Sequence, residues 1–313
     1  MLAVLQETLL PLLDGMLTAD LAAATAHSTN STSSTSSSIG DTQQGATAVR
    51  LDGRACAVII TAMQTLTNAL KGANQSRQQQ RALQDDMTGS AHRIFKLFLA
   101  PSVLPTATPQ AFAMLAGSAA KLKIRSVSQR QLLALLQGLL GAAAAVQDRP
   151  AVPGEPDLLT PQHLSQTLWG VATLLSAQQA TPPDPSTQQA MADVALLLTR
   201  HAELLATVKP VELCNTLSAF VICEGRPPPG LVADLVRALA EERNLSRAIP
   251  QDLGRVLWAV AKLDRGQDVA PEVCLRITSA LCRSVGVILG SLRQPVCIPW
   301  RCECCCTSRL CER

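Results

Sequence analysis

Apolar side chains recur along this chain at helical intervals. Leu164, Leu168, Val171, Ala172 and Leu175 fall at i, i+4, i+7, i+8 and i+11, with polar residues between them. That spacing places them on one face of an amphipathic helix. Leu253, Leu257, Val260 and Ala261 repeat the stripe about ninety residues later. Each stripe opens on a proline, Pro161 after Thr160 and Pro250 after Ile249. Proline at the first helical position sacrifices no hydrogen bond, and threonine before it is a ready N-cap.

The two stretches are copies of one phrase. Thr160 to Leu174 and Ile249 to Leu263 share proline, leucine, leucine-tryptophan, alanine and leucine at the same offsets: Pro161, Leu164, Leu168, Trp169 and Ala172 against Pro250, Leu253, Leu257, Trp258 and Ala261. Weaker copies open at Pro109 and Pro210, so the four prolines are separated by 52, 49 and 40 residues. Internal similarity at such intervals marks a helical-repeat architecture. Second helices are predicted between the copies, over 131–146, 186–205, 230–242 and 272–289. Three of them follow proline, at Pro185, Pro227-Pro228-Pro229 and Pro271. The stretch from Pro227 to Leu263 is then one complete hairpin of 37 residues.

That unit, Pro227-Pro228-Pro229-Gly230-Leu231 through Ile249-Pro250-Gln251-Asp252-Leu253 to Leu257-Trp258-Ala259-Val260-Ala261-Lys262-Leu263, resembles an octotricopeptide repeat. These are α-hairpin repeats of green-algal organelle RNA-binding proteins, related to the Fas-activated serine/threonine kinase-like group of mitochondria. The resemblance covers about residues 108–289 and is best over 227–263. It implies an all-α protein, a right-handed α-solenoid of about four stacked helical hairpins. It also implies single-stranded RNA as partner, other helical-repeat proteins as possible further partners, and a place in chloroplast or mitochondrion.

Composition agrees with a helical fold. Hydrophobic residues make up 47% of the 313, aromatics only 2%, and tyrosine is absent, whereas a β-sandwich draws on β-branched and aromatic residues. Charge argues the other way on RNA. The whole chain is +3, and residues 109–290 hold 16 Lys/Arg against 15 Asp/Glu, a difference of +1. Phosphate neutralisation supplies much of nucleic-acid affinity, so an RNA-binding repeat needs its cations gathered on one face. The candidates in the best unit are Arg237, Arg243, Arg247, Arg255 and Lys262, and Asp234, Glu241, Glu242 and Asp252 stand among them as on any solvated helix. Trp169 and Trp258 have faces on which a base can stack, but their place beside the leucine stripe favours packing.

Outside the repeats the chain divides into distinct stretches. Residues 1–27 read as an apolar helix, in which Glu7, Asp14 and Asp20 argue against a membrane span or signal peptide and the lack of arginine against a transit peptide. Residues 28–48 form a Ser/Thr-rich stretch expected to be a disordered linker. Residues 49–104 are expected to form a helical hairpin or cap, with helices over 54–71 and 78–99, ahead of the repeats at 105–290. The tail, 291–313, is irregular and carries six of the 11 cysteines, at 297, 302, 304, 305, 306 and 311. Their spacing is too crowded for one tetrahedral site built from paired knuckles, so no metal is expected. Cys56, Cys214, Cys223, Cys274 and Cys282 sit in apolar helices as small core residues.

No phosphate loop, zinc-protease helix or nucleophile elbow is present, and the four histidines, at 27, 92, 163 and 201, show no ligand spacing. Catalysis, a cofactor and a small-molecule substrate are therefore not expected. Two readings remain: an RNA-binding helical-repeat protein acting in organelle RNA processing, stability or translation, and a protein–protein interaction scaffold. They part on whether basic side chains line one row of helices.

Overall fold

The computed structural model describes residues 51–70, 77–147, 158–178, 182–263 and 268–291. The expected N-terminal helix, the Ser/Thr-rich linker and the Cys-rich tail after Ser291 lie outside these residues. The described chain is all-helical, with 12 helices and no strand. They are α1 (Gly53–Leu70), α2 (Arg77–Phe98), α3 (Pro109–Lys121), α4 (Gln129–Gln147), α5 (Pro161–Ala177), α6 (Pro185–Arg200), α7 (Ala202–Thr207), α8 (Pro210–Ile222), α9 (Leu231–Leu239), α10 (Glu242–Leu245), α11 (Pro250–Lys262) and α12 (Pro271–Ser291).

The predicted starts hold for a local reason. Thr108 and Thr160 accept hydrogen bonds from the backbone N–H of Ala111 and His163, both at 3.3 Å, and proline follows each at the first helical position. Lys209 N–H donates to the Glu212 carboxylate at 2.8 Å, closing the first turn of α8. The predicted helix over 186–205 is broken instead at His201, whose backbone is extended, so that α7 turns away as a separate element. The Arg243 guanidinium holds that short helix at its far end by donating to the carbonyls of Leu205, at 2.9 Å, and Ala206. The helix expected over 230–242 likewise stops at Leu239, and α10 follows as a single turn.

Helices α1, α3, α5, α8 and α11 form one row, each packed on the next. Helices α4, α6, α9 and α12 form a second row against them, and α2 closes over α1 and α3. Phe98 and Phe112 meet edge-to-face between α2 and α3, with centroids 5.2 Å apart.

A common register runs through the first row. Count the first helical residue as zero, which is Gly53, Pro109, Pro161, Pro210 or Pro250. Position 3 is then Cys56, Phe112, Leu164, Leu213 or Leu253, and every one is buried. Position 10 is Met63, Ala119, Val171, Phe220 or Val260, again all buried. Position 9 is small throughout: Ala62, Ser118, Gly170, Ala219 and Ala259. Small residues there let adjacent helices close in. Thr61 and Ser118 hydroxyls meet at 3.1 Å across α1 and α3, and a Cβ on Gly170 would lie 2.6 Å from the Ala116 carbonyl carbon. The α1 helix lacks the proline and the leucine-tryptophan pair, yet it follows this register.

The α11 stripe corrects one expectation. Leu164, Leu168, Val171, Ala172 and Leu175 are all buried in α5, but in α11 Leu257 is only half-buried and Ala261 is exposed. The inward face of α11 is Leu253, Val256, Ala259 and Val260. In the middle of the row α5 is flanked by α3 and α8, whereas α11 has α8 on one side and, among the described residues, no further helix of that row on the other. The same asymmetry leaves Trp169 packed against the core and Trp258 45% exposed.

Candidate nucleic-acid interface

A groove of about 660 Å³ runs across α3, α5, α8 and α11. Its charged lining is Lys121, Lys209, Glu212 and Arg255, and its other polar lining is Gln162, Ser165, Gln166 and Asn215, with Trp169 and Val211 as the large apolar surfaces. The register explains why these residues meet. Gln166, Asn215 and Arg255 all occupy position 5 of successive helices, Gln162 and Val211 position 1, and Trp169 position 8. Stacked parallel helices thus present equivalent side chains as an ordered line.

Local bonds fix the geometry at one end. Arg255 donates from Nη2 to Asn215 Oδ1 at 3.3 Å and to Ser218 Oγ at 3.2 Å. Glu212 is almost fully buried, and burial pushes its carboxyl up from the ordinary range, opposed by its bond to Lys209 N–H and by the charges of Lys209 and Arg247. The groove lining therefore holds three cations, Lys121, Lys209 and Arg255, and one carboxylate, whose pKa burial raises. The balance in the groove is more basic than that of residues 109–290 as a whole.

Of the five basic candidates read from the sequence, the structure brings only Arg255 into the groove. Arg237, on α9, pairs with Asp234 at 2.8 Å. Arg243 pairs with Glu241 at 2.8 Å while clamping the end of α7. Arg247 is exposed beyond α10, and its charge reaches Glu212. Lys262 is exposed at the last turn of α11. Lys121 and Lys209 were missed because each lies at an end of a helix, outside the best-matching unit. Aligning the four proline phrases shows a polar residue at position 5 in three of them, Gln166, Asn215 and Arg255 against Met114 in the first, but not that this face is open.

No described group of His, Cys, Asp or Glu has the arrangement of a metal site. Burial pushes the Cys214 thiol up to about 12 and Cys223 to about 11, so neither is a nucleophile at neutral pH. A second cavity, about 520 Å³ beside Leu104, Pro109 and Gly138, has no titratable lining. Among the described residues no helix is long and apolar enough to cross a membrane. Compared with known proteins, the chain matches no family model, no curated protein and no solved structure.

Proposed function

We propose that this protein is a right-handed α-solenoid that binds single-stranded RNA along the α3–α5–α8–α11 row, in the manner its octotricopeptide-like phrases imply, and acts in organelle RNA processing, stability or translation. The observation that carries this reading is the groove itself. Lys121, Lys209 and Arg255 offer phosphate contacts, Trp169 offers a stacking face, and Gln166 and Asn215 offer hydrogen bonds at a helix-by-helix repeat. Single strands expose base edges that such a line of amides can meet, whereas paired bases hide them.

The test is retention of the full chain with a random single-stranded RNA pool at two salt concentrations, with duplex DNA as control. Preference for RNA, steep weakening with salt and enrichment of a short motif are the expected results. No retention even at low salt would favour the scaffold reading, in which the same groove takes a protein segment. The near-neutral charge of residues 109–290 is the observation that supports that alternative.

A further inference from the structure

Among the described residues, the two ends of the first row leave exposed the positions that junctions inside it use. At three of the four internal junctions, a residue at position 7 or 8 of one helix meets position 5 or 9 of the next. Ala116 meets Gly170, Gly117 meets Gln166, Thr61 meets Ser118, and Ser218 meets Arg255. Position 4 also reaches forward, as Cys214 does in donating from Sγ to the Asp252 carbonyl at 3.2 Å.

On α11 the forward positions find nothing equivalent among the described residues. A Cβ on Gly254, at position 4, would meet no atom within 4 Å. Leu257, at position 7, is half-buried with part of its side chain on the core, and Trp258, at position 8, is 45% exposed. On α1 the backward positions are equally bare. Val58, at position 5, is 51% exposed, and Ala62, the small residue at position 9, is also exposed. One flank thus leaves the bulky Trp258 exposed at a forward position, and the other leaves Val58 and the small Ala62 exposed at backward positions.

We infer that copies of this chain stack head to tail, with Leu257 and Trp258 of α11 in one copy seated on Val58 and Ala62 of α1 in the next. The occupant is a second copy because the interface continues the register already used inside the chain. The contact is uncharged at its centre. Arg54 and Lys262, at positions 1 and 12, lie near opposite ends of these parallel helices, so their charges stay apart. Such a contact is heterologous: each copy keeps one free end of each kind, and growth does not stop at two. This inference does not depend on RNA binding.

Sedimentation equilibrium of the full chain without nucleic acid tests it. The wild type is expected to show a weight-average mass that rises with concentration beyond twice the monomer. Val58→Arg and Trp258→Arg each remove one end and should remain monomeric. Both side chains are exposed, so a helical melting curve like that of the wild type verifies the fold of each variant. An equimolar mixture of the two variants retains one good junction and should form dimers that grow no further. A wild type that stays monomeric, a single variant that still assembles, or a mixture that fails to dimerise would each overturn the inference.

Discussion

Gly170 and Ala116 mark the closest approach between α5 and α3: a Cβ on the glycine would lie 2.6 Å from the alanine's carbonyl carbon and 2.7 Å from its oxygen. Backbone atoms have no rotamer by which to yield. Gly170→Val should therefore force the two helices apart and cost about 1–3 kcal/mol, the usual range for an overpacked contact. Gly254→Ala meets open space, so the better helix propensity of alanine should add up to about 1 kcal/mol. Denaturant unfolding of both variants beside the wild type checks the pair of signs.

Loss of stability on mild acidification is expected from His163. Burial holds its imidazole below the ordinary value of 6.5, outweighing the hydrogen bond with the Leu158 backbone, and its Nδ1 is buried without a partner. Below that value the unfolded chain binds the proton and the folded chain resists it. Stability is then complete above pH 6.5 and falls as the pH drops from there toward the folded-state value. His92, lowered by burial and by Lys96, adds in the same direction. The midpoint of thermal unfolding should fall less for His163→Gln than for the wild type between about pH 7 and pH 5.5, near which histidine titrates. Equal slopes would remove His163 from the account.

The salt dependence of RNA binding should separate groove cations from the rest. Lys209→Met and Arg255→Met should each weaken binding and lower the slope of log affinity against log salt by about 1, the loss of one phosphate contact. Arg237→Met should leave that slope unchanged, because Arg237 is engaged with Asp234 on α9 and lies outside the groove. Identical slopes for all three would place the RNA elsewhere.

Thiol chemistry should follow burial. Cys282 is exposed, whereas Cys214 and Cys223 are buried with thiols pushed up to about 12 and about 11. Alkylation of the native protein followed by peptide mass mapping should label Cys282 well before the other two, and all three should react at similar rates in denaturant. Early labelling of Cys214 would mean that the α8–α11 junction opens readily.

The all-helical character and the repeated helix starts were legible in the amino-acid sequence because both rest on local physics. Threonine and proline mark the starts at 160–161, and leucines at positions 3 and 7 of α5 mark the buried face, whatever lies around them. The breaks at His201 and Leu239 were not legible: Arg243 holds the short helix after the first only once the chain has folded, and the buried Asn244 amide donates to the Ala238 carbonyl beside the second. Nor was the groove. Arg237, Arg243 and Arg255 read alike along the chain, and only the packing of α3, α5, α8 and α11 turns Arg255 toward Asn215 and Ser218 while leaving Arg237 to Asp234. Sequence by itself determined where the proline-opened helices start and which of them are copies, because periodicity and capping are short-range. Tertiary structure alone decided that Trp169 is packed and Trp258 bare, because identical phrases acquire different surroundings at the middle and at the end of a stack.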